Sequence, residues 1–328
     1  MSFPRIVLWL GVLVFAVIGA MAFFKKKPPT IEIPTSPIVV LEPVAAPVPV
    51  VLAPPAPEPP PVHVATPLEG DDFPEADIIF RLFTTGPSRL PFIETIAYTS
   101  TVPWLQGRSA WVADYASYYS TSRHFIARSL NGKPDYFSQK VSVGSRFNVF
   151  KKDKKIEFHL LVDITRCKLG LYCLDLDSQE RILLKTYLVG LGAVDPHSPS
   201  GSLTPLGRYS LGSKIAIYKP GTQGLYRGQN IEMMTVFGTR WIPFDQDLEG
   251  CTAAAKGYGL HGVPWTVKNG KWEELRDYIR SYDSDGCIRM LQEDIEEIFA
   301  VIITKPSYIW LVKDFHEAQL PGIERSSK

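Results

Sequence analysis

Cysteine is scarce in this sequence, and the spacing typical of metal sites is missing. Only four cysteines stand among 328 residues: Cys167, Cys173, Cys251 and Cys287. Four scattered cysteines exclude a disulfide-rich scaffold, and without a Cys-x-x-Cys pair a structural zinc site has no support. We therefore predict no metal and no cofactor.

The sequence also lacks an excess of either charge. Lysine and arginine number 35 and aspartate and glutamate 34, which leaves a formal net charge of +1. This balance gives no reason to expect a nucleic acid as partner. The one dense basic run, residues 151–155, is more typical of a solvated turn between domains than of a phosphate-binding track.

Near the N-terminus, charge is missing from a long apolar run. Residues 6–24 are nineteen positions without a charged side chain. A helix of that length spans about 28 Å, close to the roughly 30 Å of a membrane's hydrocarbon core. We predict a single-pass membrane anchor in residues 1–27. A cleaved signal peptide stays an alternative, because Ala20-Met21-Ala22 has the small-residue spacing of a cleavage site.

A proline-rich stretch follows the apolar run. Residues 28–67 are forty positions, of which fourteen are proline. Such a segment cannot build a core, and we expect an extended, polyproline-like chain. At about 3.1 Å per residue it could reach ~120 Å, which would hold a folded domain far from a membrane. Residues 68–94, first acidic and then apolar, connect it to the next domain.

Residues 95–152 have the pattern of a small α+β domain. Apolar side chains recur at helical steps from Trp111 to Leu130, Asn131-Gly132 marks a turn, and Val141 to Val149 alternate like a strand. This strand–helix–helix–strand (βααβ) order resembles a divergent LysM module, a peptidoglycan- or chitin-binding domain. A structural spacer with the same layout stays open, because residues 100–107 lack the family's usual Gly-Asp pair. The matching pieces are Tyr98-Thr99, residues 113–119, Leu130-Asn131-Gly132 and residues 143–149.

From residue 156 onward the sequence is rich in predicted strands. Residues 158–164 and 169–174 read as two strands, and further strands are expected at 185–189 and 207–212. Helices are predicted only late, at residues 270–281 and 293–303. We expect a mostly β domain over residues 156–314, followed by a tail at 315–328.

A candidate nucleophile lies in the run Ser284-Asp285-Gly286-Cys287-Ile288-Arg289. Glycine before the cysteine lets the backbone bend, so that successive N–H groups can stabilise the oxyanion of a tetrahedral intermediate. A thiol with the usual pKa of about 8.5 needs a base or a positive field before it reacts well at neutral pH.

Six histidines could supply that base, and the flanking residues single out one of them. His261 lies between glycines in Gly259-Leu260-His261-Gly262, which permits close approach, whereas His197 is an exposed alternative. His159 is expected to be a core residue of a strand. The remaining histidines lie in the predicted stalk, the small domain and the tail: His63, His124 and His316.

Residues 156–314 resemble an L,D-transpeptidase (YkuD-like) catalytic domain, and the resemblance implies a β-sandwich-like fold. The matching pieces, in the family's order, are Val162-Asp163, residues 169–172, 189–192, 204–209, 237–242, 258–262 and 284–290.

The resemblance also implies a chemistry. Cys287 would attack a peptidoglycan stem tetrapeptide and expel its terminal D-residue, leaving a thioester. His261 would move the proton, and the carbonyl of Gly262 would orient its ring. An amine acceptor gives a cross-link, and water gives L,D-carboxypeptidase activity. Substrate and oxyanion contacts are expected from Ser284, Gly286 and Arg289, the last as a donor to a substrate carboxylate.

Partners and location follow from the same resemblance. We expect binding to stem peptides and glycan strands, and covalent inhibition by carbapenem-type β-lactams. The catalytic domain would lie in the periplasm, attached to the bacterial inner membrane. Lys25 to Lys27 argue against this orientation, because the positive-inside rule would keep them in the cytoplasm.

Two departures from the family leave alternatives open. Asp285 stands where histidine is usual, and the interval from His261 to Cys287 is about ten residues longer than usual; the extra length, residues 267–282, is predicted to be a helix that is either a lid or a packed surface element. A catalytically inactive, wall-binding envelope protein is therefore the alternative function. A secreted cysteine protease is disfavoured, because no extended substrate-groove motif is present.

Overall fold

The computed structural model describes residues 63–64, 70–87, 89–133 and 140–325. The predicted membrane anchor lies outside these residues, as does nearly all of the proline-rich stretch. Within the described ranges, none of the helices combines the length and hydropathy that a membrane crossing requires.

The described elements are short helices and many strands. The α-helices are α1 Phe80–Phe83, α2 Val112–Tyr118, α3 Arg123–Asn131, α4 Met234–Phe237 and α5 Gln292–Ile302, and 3₁₀ turns occupy Arg276–Tyr278 and Phe315–Glu317. The first nine strands are β1 His63–Val64, β2 Ile93–Ala97, β3 Arg146–Phe150, β4 Ile156–Asp163, β5 Lys168–Asp175, β6 Glu180–Leu188, β7 Leu191–Gly192, β8 Gly207–Leu211 and β9 Ala216–Ile217. The others are β10 Gln223–Tyr226, β11 Gln229–Glu232, β12 Arg240–Glu249, β13 Gly259–Gly262, β14 Trp265–Lys268, β15 Lys271–Glu274, β16 Ser281–Ser284, β17 Ile288–Met290, β18 Ser307–Val312 and β19 Ile323–Glu324.

One large sheet organises the chain after residue 156. Its strand order is β17-β13-β12-β8-β18-β4-β5-β6-β19, with β9 beside β12. Register shifts between β12 and β8 and between β5 and β6 bend the sheet, so that it curls around its core. The mostly β architecture predicted from the sequence is confirmed.

Alternation along the strands and the helix α5 explain how this core forms. On β4, Phe158, Leu160 and Val162 point to the same side because strand side chains alternate, and all three are fully buried. The apolar face of α5, with Ile298 and Phe299, is buried in the same core. The helix predicted at residues 293–303 is therefore confirmed as α5.

The predicted strand–helix–helix–strand order is present before this sheet. β2 and β3 pair antiparallel, and α2 and α3 lie between them in sequence. The Ser122 hydroxyl accepts a hydrogen bond from the Phe125 N–H and begins α3. The last strand begins only at Arg146, because a turn in which the Ser145 N–H donates to the Ser142 carbonyl precedes it. The expectation that the strand begins near residue 141 was wrong.

This small domain packs directly on the large sheet and shares its core. Phe125 and Phe150 belong to the same buried cluster as Phe158. The fully buried Asn148 donates its amide hydrogens to the carbonyls of Leu82 and Thr84, each at 2.8 Å. Because these hydrogen bonds are satisfied inside an apolar core, they fix β3 against the connecting segment around α1.

The predicted helix at residues 270–281 is wrong. The chain there forms the antiparallel hairpin β14–β15, then the 3₁₀ turn Arg276–Tyr278 and the start of β16. Asn269 and Gly270 both have positive φ, 52° and 73°, as a two-residue hairpin turn requires. The apolar spacing at Trp272, Leu275 and Tyr278 that suggested a helix was overridden by this turn.

Candidate active site

Two neighbouring strands bring the predicted nucleophile and base to one face of the sheet. β13 and β17 run parallel, with Leu260 opposite Ile288 and His261 opposite Arg289. Leu260 and Ile288 are fully buried in the core. Side chains alternate along a strand, so His261 and Cys287 project to the side away from Leu260 and Ile288.

The turn before Cys287 is held by its own hydrogen bonds. The Ser284 hydroxyl donates to the Cys287 carbonyl at 2.6 Å and accepts from the Gly286 N–H at 3.1 Å. Gly286 has φ +108°, and a Cβ there would lie 2.5 Å from the Tyr258 ring and 2.6 Å from the Leu203 carbonyl. Only glycine fits this position. Ser284 and Gly286 thus shape the turn, and their direct contact with a substrate stays a prediction.

The His261 ring is buried and oriented by the backbone. Its Nδ1 lies 2.7 Å from the Gly262 carbonyl oxygen, the contact implied by the family resemblance. The Phe237 ring packs edge-on against it at 5.2 Å, and the Trp241 ring lies at 5.9 Å. A carbonyl can only accept, so Nδ1 carries the hydrogen in the neutral ring and Nε2 is left as the acceptor.

Burial keeps both groups uncharged at neutral pH. Desolvation raises the pKa of the Cys287 thiol to about 11, although an N–H of Gly259 and the charge of Arg289 oppose this rise. Desolvation lowers the pKa of His261 to about 3, partly offset by the hydrogen bond to Gly262. The two residues are 8% and 3% exposed. The resting site therefore holds a thiol and a neutral imidazole rather than an ion pair.

Arg289 lies beside this pair, but its guanidinium already contacts two other residues of the protein. Nη1 is 3.0 Å from Asp283 Oδ2, and the group lies 4.8 Å from the centre of the Tyr278 ring. Its side chain is only 13% exposed. The role expected for Arg289, a donor to a substrate carboxylate, stays a prediction.

Asp285 contacts residues that the sequence did not single out. The Tyr226 hydroxyl donates to Asp285 Oδ2 at 2.8 Å, and Arg227 Nη2 lies 2.6 Å from the same oxygen. Both partners lie at the tip of the hairpin β10–β11. The local sequence signal for this hairpin is Gly228, because the turn places Arg227 and Gly228 at φ 50° and 78°.

With one exception, the other histidines lie outside the strands that adjoin the nucleophile turn. His159 is buried in β4, where desolvation lowers its pKa to about 4. His197 is exposed, His124 is buried on α3, and His316 lies 2.7 Å from Asp314. The exception is His63, whose backbone pairs in β1 with Tyr282 of β16, the strand that leads into the nucleophile turn.

All four cysteines are free thiols. Among the described residues, the structure forms no group of three or more His, Cys, Asp or Glu side chains that could hold a metal. The site combines a buried thiol with a neutral, backbone-oriented imidazole.

Comparison with known proteins agrees with this geometry. Residues 157–309 match the YkuD family, described as the L,D-transpeptidase catalytic domain. These residues therefore carry the sequence pattern of a YkuD L,D-transpeptidase catalytic domain. The match includes both His261 and Cys287, and family members of this kind are cysteine-based enzymes that act on peptidoglycan.

No curated protein matches the chain. Solved structures give a more distant likeness. Bd1075 from Bdellovibrio bacteriovorus is 14% identical, with a TM-score of 0.30 over 48% of each chain. The helical cell shape determining protein Pgp2 from Campylobacter jejuni is 16% identical, with a TM-score of 0.29 over 52% of this chain and 51% of its own. The chain thus spans about half the length of the structures that it matches.

Proposed function

We propose that this protein is a peptidoglycan L,D-transpeptidase that works through a thioester on Cys287. The observation that carries the proposal is the placement of Cys287 and His261 on one face of paired strands, with Nδ1 of His261 fixed by the Gly262 carbonyl. The substrate would be a stem tetrapeptide, and its terminal D-residue would leave.

The neutral resting pair determines the order of proton transfer. As the Cys287 sulfur bonds to the substrate carbonyl carbon, Nε2 of His261 takes the thiol proton, and a thiolate never accumulates beforehand. His261 then gives this proton to the departing amine as the C–N bond breaks. An amine from a second stem attacks the thioester to form the cross-link, or water attacks to release the product as in an L,D-carboxypeptidase.

A catalytically inactive, wall-binding protein is the competing function, and covalent labelling separates the two. Carbapenems acylate the nucleophile of enzymes of this class, so we expect intact-mass labelling at Cys287 in the wild-type protein. A Cys287→Ala variant should gain no mass. A folded wild-type protein that stays unlabelled would favour the inactive alternative.

The small domain is proposed to hold glycan strands near the catalytic domain, as its LysM-like pattern suggests. A groove of about 650 Å³ lies there, lined by Tyr98, Trp111, Leu130 and Val141 among others. Trp111 is 70% exposed, and exposed aromatic rings are typical of sugar-binding surfaces because they offer an apolar face. Trp111→Ala should reduce co-sedimentation with insoluble peptidoglycan without changing carbapenem labelling.

The proposed location is the periplasmic side of a bacterial inner membrane, with residues 1–27 as the anchor. The substrate chemistry and the proline-rich stretch support this orientation, and the three lysines at 25–27 oppose it. A reporter fused after Lys328 should be active outside the cytoplasm. Cytoplasmic reporter activity would refute the orientation.

A further inference from the structure

The hairpin β10–β11 covers the nucleophile turn with its tip. Tyr226 and Arg227 both bind Asp285, which is two residues before Cys287. The Tyr226 ring also packs edge-on against Phe237 at 5.3 Å, and Phe237 packs edge-on against His261. Phe237 therefore contacts both the hairpin tip and the ring of His261.

In the ion pair at this tip, another carboxylate can replace Asp285 on Arg227. Arg227 is 67% exposed and Asp285 57% exposed. Pairs between groups so well hydrated contribute little to stability, because water screens the attraction. A carboxylate arriving from solution can consequently replace Asp285 on Arg227 at small cost. The planar guanidinium suits any carboxylate in that position.

Arg289 is poorly placed for the same task. It is largely buried and already bound to Asp283 and Tyr278. Arg227, by contrast, is open to solvent on one side and already holds a carboxylate beside the thiol. The two arginines differ in accessibility rather than in charge.

We propose that Arg227 receives the carboxylate of the substrate, and that Asp285 occupies Arg227 when no substrate is bound. This inference rests on the proposed function, because a stem peptide ends in a free carboxylate. On binding, Arg227 exchanges the Asp285 carboxylate for that of the substrate and stays charged throughout. Asp285 thereby holds the hairpin tip over the site while no substrate is bound.

Two alkylating reagents of similar size but different charge test the exchange directly. Iodoacetate and iodoacetamide each form an S–C bond with Cys287, release iodide and leave the thiol proton to base or solvent. Both react with the thiolate, so the ratio of their rates is independent of the thiol pKa. The full chain is used, and peptide mapping separates the adduct on Cys287 from any on Cys251.

The decisive comparison is between Asp285→Asn and the double variant Asp285→Asn, Arg227→Gln. With Asp285 neutralised, Arg227 is available to iodoacetate, and the double variant removes it. Two unit charges about 4 Å apart in water interact by about 1 kcal/mol, so the iodoacetate-to-iodoacetamide ratio should be about 5-fold higher in the single variant. Equal ratios in the two variants would overturn the proposal. Arg108→Gln, which disrupts another exposed pair (with Asp114), should leave the ratio at the wild-type value.

A second measurement assigns the carboxylate to the substrate. Arg227→Gln should raise the KM for a tetrapeptide with a free terminal carboxylate by about 5-fold, with kcat nearly unchanged. The KM for the same peptide amidated at that terminus should not change. An equal effect on both peptides would overturn the substrate assignment. If the wild-type protein turned over neither peptide, the proposed function would fail, while the alkylation ratio would still report on Arg227.

Discussion

At the residue scale, the site depends on two side chains that burial keeps neutral. The sequence motifs predicted both Cys287 and His261, since a glycine adjoins each of them and the family resemblance extends over both. The direction of their pKa shifts could not be predicted, because desolvation depends on the rings of Phe237 and Trp241 that pack around His261. Arg227 carries no motif and lies 60 positions before Cys287, so only the fold reveals its contact with Asp285.

Replacing His261 tests the neutral-pair mechanism at this scale. His261→Ala should slow carbapenem acylation at pH 7 by about 10²-fold or more, the usual effect of losing a positioned base. The wild-type rate should change little between pH 6 and 10, because the pKa of His261 is about 3 and that of Cys287 about 11. The variant's rate should rise about tenfold per pH unit over this range, as the thiolate fraction grows.

The pH–rate profile of carbapenem acylation is the measurement, and His197→Ala is the control. His197 is exposed in the loop after β7, whereas the His261 ring is buried and held by the Gly262 carbonyl, so the loss of His197 should leave the profile unchanged. A His261→Ala variant with the wild-type rate at all pH values would refute the dyad.

At the element scale, the alternation of apolar residues predicted the strands of the large sheet, but one turn decided between a helix and a hairpin. β4, β5 and α5 follow their apolar periodicity, because each buries one face in a common core. The hairpin β14–β15 was mistaken for a helix, although Asn269-Gly270 is a strong signal for a two-residue turn. Glu274 and Arg276, at the end of this hairpin, bind Gln292 and Glu293 at the start of α5. These contacts favour a packed surface element over a lid.

Gly270→Ala tests this assignment. Gly270 has φ +73° with open space around the position of a Cβ, so only the backbone conformation opposes the change. We expect a loss of about 1 kcal/mol in unfolding free energy, the cost of an L-residue in the left-handed region. Urea unfolding measures it, and Asn269→Gly is a control that should be neutral or nearly so. The rate of Cys287 alkylation should not change, whereas an altered rate would restore the lid interpretation.

At the scale of the whole molecule, buried neutral histidines make the fold sensitive to acid. His159 and His261 have pKa values of about 4 and 3 in the folded state, against 6.5 for an unperturbed group. Between pH 6.5 and these values the unfolded chain binds protons that the folded chain does not. The contribution of these two histidines to the unfolding free energy is therefore fully present above pH 6.5, and it falls as the pH drops below that value.

His159→Gln should remove part of this dependence. His159 alone accounts for about 3 kcal/mol of the loss between pH 6.5 and 4, so the variant's unfolding free energy should decline less over that range. Urea midpoints measured across the pH range provide the test, with His197→Gln as the exposed control. A variant with the same pH slope as the wild-type protein would contradict the stated cause of the acid sensitivity.

The most direct test of the central claim is the intact mass of the protein after incubation with tetrapeptide-bearing muropeptides. The wild-type protein should gain the mass of the stem without its terminal D-residue, as a thioester that peptide mapping places on Cys287. Cys251→Ala should form the same adduct, because Cys251 follows a glycine but lacks the Ile-Arg of the nucleophile motif. Cys287→Ala should form none. A folded wild-type protein without an adduct, or an adduct on Cys251, would contradict the account.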